Sequence, residues 1–500
     1  MSKNQEANEY IGEQMKDFSS TTKIAPAIGN YHEKDELYDP FDHRDKTNAT
    51  SDAGSATHLI KSSLGTGILA MPNAIKNGGL LVGGIGTILI GILCSHCVHI
   101  LVKSSHVLCR RTKTPAMTYA DTAAAAFESG PLRLRKYSNL ARNFVNWALC
   151  ATYVSGACVY IVFIATGIKQ LGDQYTGMNI SIRTYMLCLI PAVVLLGQVR
   201  NLRVLVPFSV LANLSLTVGF AITLYYIFNQ IQPMEKIHYV TTWHQLPKFF
   251  ATVIFAIEGI GTVMPIENSM ANPRHFIGCP GVLNISMSVV ITLYAAMGVF
   301  GYLSFGECAK ASITLNLPEG EILGQLVQFL ISIAILLTYG LQFFVPLEII
   351  WNSIKHKFSH RWEVLGETVM RIFMVLLTVS VAMLVPDLDP FISLVGAVFF
   401  SVLGICIPAI IETISCWEAH LGVGYWRLWK NAFLVLVSIF ALIAGSWISI
   451  EQIIELYTKS SPASSIATCT LNRSEMIVSS TSNETLISTT LDIVNGTKIL

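Results

Sequence analysis

The chain has 500 residues, of which 52% are hydrophobic and only 13% are charged, and its formal net charge is +1. A soluble domain carries roughly 25% charged residues, so this composition excludes an ordinary soluble protein. The near-neutral charge also argues against a nucleic-acid partner, which would require a strongly basic surface. The bilayer is therefore the first partner that the sequence predicts.

The N-terminal segment, residues 1–52, is polar and has no apolar stripe of helical period. It also lacks the basic, apolar and small-residue regions of a cleaved signal peptide. A segment of this composition buries too little apolar surface to offset the entropy of ordering it. We predict a cytosolic, mostly disordered tail.

Residues 53–456 contain the transmembrane transporter domain that we predict, with eleven apolar stretches that can each cross the hydrocarbon core as a helix of about 20 residues. The predicted class is an all-α integral membrane protein with eleven transmembrane helices. The stretches lie near 54–75, 80–104, 141–168, 183–199, 203–229, 247–271, 278–305, 322–351, 366–386, 389–412 and 429–450.

The first stretch is interrupted by Gly65, Thr66 and Gly67 and continues to Met71 and Pro72. Free backbone groups at bilayer depth cost several kcal/mol each, so a break there needs a ligand or a protein partner. The half-helix that follows directs N–H groups and a positive dipole end at the break, which suits a carboxylate. The alternative is a close helix contact through small residues.

The sixth stretch has a matching interruption at Glu258, Gly259, Ile260 and Gly261, again followed by Met-Pro. The half-helix before it ends in free carbonyl oxygens, which suit an ammonium group. Broken helices at corresponding places in two halves of a chain indicate the binding site of a secondary transporter. The two breaks together predict a zwitterionic ligand. Glu258 either adds charge and titrates there, or caps and pairs within the bundle.

His58 lies seven residues before Gly65 on the first half-helix. Histidine changes charge between about pH 5 and pH 8, so it is the natural group for a proton-coupled step. Seven residues of helix span about 10 Å, so any coupling acts through movement of the half-helix and not through contact with the ligand. The alternative is a structural histidine, which is how we interpret His96 and His99 on the second stretch.

Aromatic residues on other stretches are weaker candidates for lining the site. Phe255 directly precedes the second break and is the one that we assign to substrate binding. The other candidates are Tyr153, Tyr160, Tyr339 and Phe391. Cys94 and Cys97 form a C-x-x-C pair, but it lies in an uncharged apolar run with too few ligands for zinc, so we predict no metal site.

Charge in the short loops predicts the orientation, because Lys and Arg are more frequent in the cytosolic loops of membrane proteins. Counted with a cytosolic N-terminus, the inner loops are the more basic ones, and an odd number of spans then places residues 457–500 outside the cytosol. This last segment is rich in Ser and Thr. We predict glycosylation at Asn179 in an outer loop and at Asn472, Asn483 and Asn495 in the tail.

The motifs resemble those of the proton-coupled amino acid transporters of the amino acid/auxin permease superfamily, and insect members are the most similar. The match covers approximately residues 38–455. The residues that carry it are Tyr38-Asp39-Pro40-Phe41, His58-Leu59-Ile60-Lys61, Gly65-Thr66-Gly67-Ile68-Leu69-Ala70-Met71-Pro72, Phe255-Ala256-Ile257-Glu258-Gly259-Ile260-Gly261 and Ser312-Ile313-Thr314-Leu315-Asn316-Leu317-Pro318.

The resemblance implies a LeuT-type fold, with two inverted five-helix repeats, broken first and sixth helices and one additional helix. It also implies symport of a small neutral amino acid, such as glycine, alanine or proline, with a proton as the coupling ion and no other cofactor. The histidine that matches His58 is linked to proton coupling in the family. Vertebrate members carry an external disulfide whose two cysteines are both absent here, so we predict no such bond; Cys308 and Cys469 are the outer cysteines.

Two alternatives remain from the sequence. An amino acid sensor with little transport would signal through partners on the cytosolic tail, and a sodium-coupled carrier would use the same breaks. The soluble segments contain no nucleophile motif and no phosphate-binding motif, so we predict neither an enzyme nor an ATP-driven pump. The expected location is the plasma membrane, the lysosomal membrane, or both.

Overall fold

The computed structural model describes residues 39–44, 49–200, 202–229, 231, 237–257, 259–318, 320–417 and 423–458. Glu258 and the sequons at Asn472, Asn483 and Asn495 lie outside these ranges, as do most of the two predicted tails. The chain divides into two compact units, Met1–Ile450 and Glu451–Leu500, and the site described below belongs to the first.

Within the described ranges the regular structure is helical. Short 3-10 turns and one four-residue helix, Leu132–Arg135, join the longer elements. The longer helices are α1 (Asp52–Ser63), α2 (Gly67–Gly78), α3 (Leu80–Thr112), α4 (Tyr119–Ser129), α5 (Ser138–Thr176), α6 (Ile182–Gly197), α7 (Leu202–Asn229), α8 (Leu246–Ile257), α9 (Ile260–Asn268), α10 (Val282–Phe305), α11 (Ile322–Ile354), α12 (Glu363–Leu384), α13 (Leu388–Ser415) and α14 (Trp426–Thr458).

The predicted class, an all-α membrane protein, is confirmed. Nine helical stretches in the described part of the chain are long and apolar enough to cross a bilayer. The fourth predicted span is the shorter apolar helix α6, and the first is divided into α1 and α2, of 12 residues each. Each of the eleven predicted stretches thus corresponds to helix, while eleven complete crossings remain a prediction.

Helices α8 and α13 pass close to one another because Gly396, which has no side chain, lies at their contact. A Cβ atom on Gly396 of α13 would lie 2.1 Å from the carbonyl oxygen of Ala251 in α8. The backbone of α13 widens into π-helical turns from this residue, Gly396–Phe400 and Val402–Cys406. This contact holds α13 directly against the half-helix that ends at the second break.

The charged residue of the ninth predicted span is neutralised inside the bundle. Arg371 of α12 is 4% exposed and donates hydrogen bonds of 3.0 Å to the carbonyl oxygens of Gly197 and Val199. It also forms an ion pair with Glu367, one turn away, at 2.8 Å. Because these acceptors occupy the carbonyl-rich end of α6, the guanidinium is compatible with a membrane span.

Residues 39–44 form an ordered segment, which we call the tail strap. Its 3-10 turn, Pro40–His43, is capped by the Asp39 side chain, which accepts from the N–H of Phe41 at 3.1 Å. Phe41 is 6% exposed, with its ring edge-on to His106 at 4.9 Å between centroids. A buried aromatic ring and a buried ion pair anchor these residues. Most of residues 1–52 lie outside the described ranges, so a mostly disordered tail stays a prediction.

The sequence left the state of Cys308 open. In the structure Cys308 is disulfide-bonded. It ends the short 3-10 turn Gly306–Cys308 that follows α10.

Candidate functional site

The first break separates α1 from α2. Leu64 has a ψ of 68°, which leaves the helical region, and α2 begins at Gly67 without a side-chain cap at Thr66. The first N–H groups of a helix have no acceptor within it. Tyr160 of α5 lies near the Thr66 side chain. The start of α2 is thus a set of donors with a positive dipole end, as predicted for a carboxylate.

The second break separates α8 from α9. Gly259 connects them with φ −126° and ψ 23°, and α9 begins at Ile260. The Gly259 carbonyl accepts from the N–H of Thr262 at 3.0 Å and from its hydroxyl at 2.8 Å. The last carbonyl groups of α8 have no donor within their own helix. They form the negative end that the sequence predicts for an ammonium group.

The two breaks lie against one another. A Cβ atom on Gly67 would be 2.5 Å from the Cα of Ala256, and one on Gly259 would be 3.3 Å from the hydroxyl of Ser63. The Thr262 hydroxyl oxygen lies 3.1 Å from that of Ser62. The structure therefore brings the two predicted halves of the site together, with the donor end of one helix beside the acceptor end of the other.

Tyrosines from two other helices enclose the breaks. A Cβ atom on Gly261 would be 2.4 Å from the hydroxyl of Tyr153 in α5, so only glycine fits the present arrangement. Tyr294 of α10 is fully buried and donates to the Ser63 carbonyl at 2.6 Å. Tyr153 was among the sequence candidates, whereas Tyr294 was missed because nothing in its neighbourhood separates it from other membrane aromatics.

The remaining predicted pocket residues are more deeply packed. Phe255 is 9% exposed, and its ring meets Phe400 of α13 edge-on at 5.7 Å. Ile260 is 1% exposed in the core. Tyr339 stacks on Phe343 at 5.1 Å and hydrogen-bonds to the Thr378 hydroxyl at 3.2 Å. Phe391 is likewise buried, so all four side chains belong to the core of the bundle.

A buried charged cluster joins α2, α8 and α13 at the end of the bundle where α2 finishes. Lys248 is only 3% exposed and is ion-paired with Asp389. The Asn73 amide donates to the same carboxylate at 2.6 Å. Lys76 donates to the carbonyl of Ala309 at 3.2 Å. The cluster links both broken helices to α13 on one side of the breaks.

A second buried charged cluster lies at the other end, where α9 finishes. The Glu267 side chain is 0% exposed and forms an ion pair with Arg44 of the tail strap at 3.0 Å. His106 Nε2 lies 2.7 Å from the same carboxylate oxygen. Arg44 Nε also donates to the carbonyl of Pro115 at 2.8 Å. The sequence does not reveal the partners of Glu267, because Arg44 and His106 are distant from it in the chain.

The start of α1 is tied to the same end. Thr50 donates its N–H to the Ser269 carbonyl at 2.8 Å and accepts from the N–H of Ala271 at 3.0 Å. Ser51 caps α1 by accepting from the N–H of Gly54 at 3.2 Å. The beginning of α1 and the end of α9 are therefore joined through the backbone.

Residues 49–451 match the model of a protein family described as transmembrane amino acid transporter protein. The chain belongs to this family. The match covers the helices α1 to α13 and most of α14, so both breaks lie within it, as do the Lys248–Asp389 cluster and Glu267.

Two curated relatives of the chain are also named as amino acid transporters. The chain is 42% identical over 421 residues to the "proton-coupled amino acid transporter-like protein pathetic" of Drosophila melanogaster, covering 84% of this chain and 89% of the relative. It is 26% identical over 416 residues to the "probable amino acid transporter skat-1" of Caenorhabditis elegans, covering 81% and 90%. The recognition of the family from its motifs is confirmed, and the chain is a multi-pass membrane transporter and not an enzyme.

Similar solved structures include MhsT in complex with L-phenylalanine, with a TM-score of 0.47 and 14% identity over 79% of this chain and 98% of that one. Mhp1, a nucleobase-cation-symport-1 family transporter in a closed conformation with bromovinylhydantoin bound, gives a TM-score of 0.45 and 12% identity over 87% and 98%.

His58 lies on α1, before the first break. His58 is exposed on α1, and no described residue forms a hydrogen bond with its side chain. Lys61 lies one turn further along the same helix. From His58 to Gly65 the distance along a helix is about 10 Å. The structure thus places His58 on the half-helix of the first break and not at the break itself.

Asn179 is the predicted glycosylation residue that the structure describes. It is exposed in the loop between α5 and α6. Its side-chain oxygen accepts from Lys169 Nζ at 2.9 Å. Asn179 therefore remains a candidate for N-linked glycosylation.

Proposed function

We propose that the chain is a proton-coupled symporter that moves small neutral amino acids across a membrane by alternating access. The single observation that carries the proposal is the juxtaposition of the two breaks. Free N–H groups at the start of α2 and free carbonyl groups at the end of α8 together match the two charges of a zwitterion. In this proposal Gly65, Thr66 and Gly67 bind the carboxylate.

The opposite end of the substrate, its ammonium group, is assigned to the carbonyl groups around Gly259 and to Glu258, whose role rests on the sequence. The narrow space between Gly261 and Tyr153 supports a small side chain. Phe255 and Ile260 form the wall behind the break. Size and charge together favour glycine, alanine or proline over larger amino acids.

Two charged clusters on opposite sides of the breaks support alternating access. On the side that we assign to the outside, Lys248 and Asp389 join α8 to α13. On the side that we assign to the cytosol, Arg44 and Glu267 join the tail strap to α9. Each cluster holds a half-helix next to the site, so opening one while the other stays closed exposes the ligand to one side at a time.

Proton coupling is proposed through His58, because it is a titratable residue on the half-helix that must move. Uptake of glycine, alanine and proline by cells that express the full chain is measured at outside pH of about 5.5 and about 7.5, with and without sodium. We expect faster uptake at the lower pH that does not depend on sodium. Uptake that requires sodium and ignores pH would establish the sodium-coupled carrier instead.

The variant His58→Ala tests the coupling residue itself. We expect normal surface expression with little stimulation by outside acid, because the half-helix loses its titratable group. His356→Ala is the matched control, since His356 is also exposed and follows α11 far from the breaks along the chain. Acid stimulation that persists in His58→Ala at the level of His356→Ala would remove His58 from the mechanism.

The sensor alternative makes a different prediction. A sensor binds amino acids but carries little flux, so purified chain would bind glycine while vesicles containing it would accumulate none. The N-terminal tail would then hold the signalling partners. A tagged chain viewed in intact cells distinguishes the plasma membrane from the lysosome, and endoglycosidase treatment tests the glycosylation and the outer location of residues 457–500.

A further inference from the structure

A row of titratable residues lies on the membrane-facing surface, outside the substrate site. His96, His99 and Lys103 follow one another on α3 at spacings of three and four residues, which places them on one helix face. His96 and Lys103 are exposed and His99 is half-buried. Lys430 of α14 reaches this face, with its Nζ 3.1 Å from His96 Nε2 and 2.6 Å from Glu412 of α13. We call these five residues the α3–α14 groove.

The charges of the α3–α14 groove do not balance. One carboxylate, Glu412, faces two lysines and two histidines, and the Lys430 ammonium already contacts it. No described residue forms a hydrogen bond with the side chain of Lys103 or His99. The next ionisable neighbour along α3 is His106, which also does not add negative charge. Placing cations beside a bilayer without a counter-charge costs free energy, so a bound anion would stabilise the groove.

Aromatic residues show that the groove lies at the level of the lipid headgroups. Tyr425, Trp426 and Trp429, at the start of α14, are 63%, 53% and 73% exposed. Trp and Tyr with such exposure mark the membrane–water interface. Lys430 Nζ lies 5.7 Å and the Arg427 guanidinium 6.0 Å from the Trp426 ring. The cationic groups are therefore held where phosphate groups of the bilayer are found.

Apolar residues continue the groove toward the bilayer centre. On α3, Leu89 and Ile92 precede His96 by seven and four residues, on the same face, and are 61% and 55% exposed. On α14, Phe433 and Leu436 follow Lys430 and are 61% and 65% exposed. A soluble anion would leave these apolar side chains uncovered, whereas the acyl chains of a lipid would cover them.

We propose that the α3–α14 groove binds an anionic phospholipid of the leaflet at which α14 begins. The headgroup phosphate contacts Lys103, His99 and Lys430, and the acyl chains lie along the exposed apolar residues of α3 and α14. Basic pockets between transmembrane helices are suited to such headgroups. The site does not depend on which solute the transporter carries.

Native mass spectrometry of the purified, delipidated full chain tests the proposal. The protein is titrated with phosphatidylserine, phosphatidylinositol 4-phosphate or phosphatidylcholine. We expect at least one anionic lipid to bind about tenfold more tightly than phosphatidylcholine. Lys103→Met should remove most of this preference, and Lys103 is exposed, so the variant is expected to fold. Lys357→Met is the matched control, because Lys357 is an exposed lysine that follows α11.

Each result decides the proposal. A preference that is lost in Lys103→Met and kept in Lys357→Met supports it. Equal binding of the three lipids, or equal loss in both variants, overturns it. A hundredfold excess of inorganic phosphate over lipid should not displace the bound lipid; complete displacement would show a phosphate site without a lipid and would also overturn it. Because the readout is lipid binding, a failure of the proposed transport activity leaves the test intact.

Discussion

Replacing Arg44 with alanine tests the tail strap as the closure on the proposed cytosolic side. The Arg44 and Glu267 side chains are 5% and 0% exposed, so the ion pair is almost fully removed from water. Breaking a buried pair leaves an uncompensated charge and costs about 3–5 kcal/mol. His106, 2.7 Å from Glu267, remains as a partner, which favours the lower end. We therefore expect about 3 kcal/mol, or roughly a 150-fold shift of the equilibrium toward the undocked strap.

Hydrogen–deuterium exchange of the purified chain in nanodiscs measures this shift without requiring transport. We expect faster exchange in Asp52–Ser63 and Ile260–Asn268, because the strap and the backbone pairing at Thr50 hold these helices at one end. Arg133→Ala is the matched control, since Arg133 is an exposed arginine on the short helix Leu132–Arg135.

The double variant Arg44→Ala/Glu267→Gln separates folding from closure. It removes the buried charge as well as its partner, so thermal stability should recover while exchange in the two half-helices stays fast. If exchange in Arg44→Ala equals that in Arg133→Ala, the strap does not hold the half-helices and the reasoning is refuted. The same conclusion follows if the double variant restores slow exchange.

Two further variants test the site and the outer end. Gly261→Ala places a Cβ atom 2.4 Å from the Tyr153 hydroxyl, so we expect at least about tenfold weaker apparent substrate affinity in uptake assays. Adding Tyr153→Phe removes that hydroxyl and should recover part of the affinity. An affinity that does not recover would contradict the contact. Burial and the neighbouring Asp389 raise the pKa of Asp387 above the usual carboxyl range. The folded chain thus binds this proton more tightly than the unfolded chain, so ionisation destabilises the fold as pH rises through the raised pKa. Asp387→Asn keeps an acceptor for the Asp389 N–H and should flatten that dependence in a thermal-stability series across pH; an unchanged pH profile would contradict it.

Local features of the sequence predicted the breaks correctly. A Gly-x-Gly in an apolar run cannot be explained as an ordinary helix interior, since glycine weakens a helix and exposes its backbone groups. The same logic located the helices, because length and hydropathy are properties of short stretches. Composition does not reveal the buried positions that Phe41 and Arg44 of the tail strap occupy in the fold.

Contacts between distant residues could not be predicted in the same way. Glu267 and Arg44 are 223 positions apart, and Lys248 and Asp389 are 141 apart. The residues that flank each of these four positions give no sign of which distant residue is its partner. Tyr294 and Tyr153 illustrate the same limit, because a membrane aromatic reveals its role only when the helix beside it is known.

By itself the sequence determined the membrane class, the family, the positions of both breaks and the polarity of the helix ends that border them, because each depends on composition or on a run of neighbouring residues. Only the tertiary structure decided that the breaks meet, that tyrosines close around them and that a charged cluster stands at either end. Those facts depend on which helices pack together. Packing is determined by the whole set of apolar surfaces and buried charges, which a local pattern does not contain.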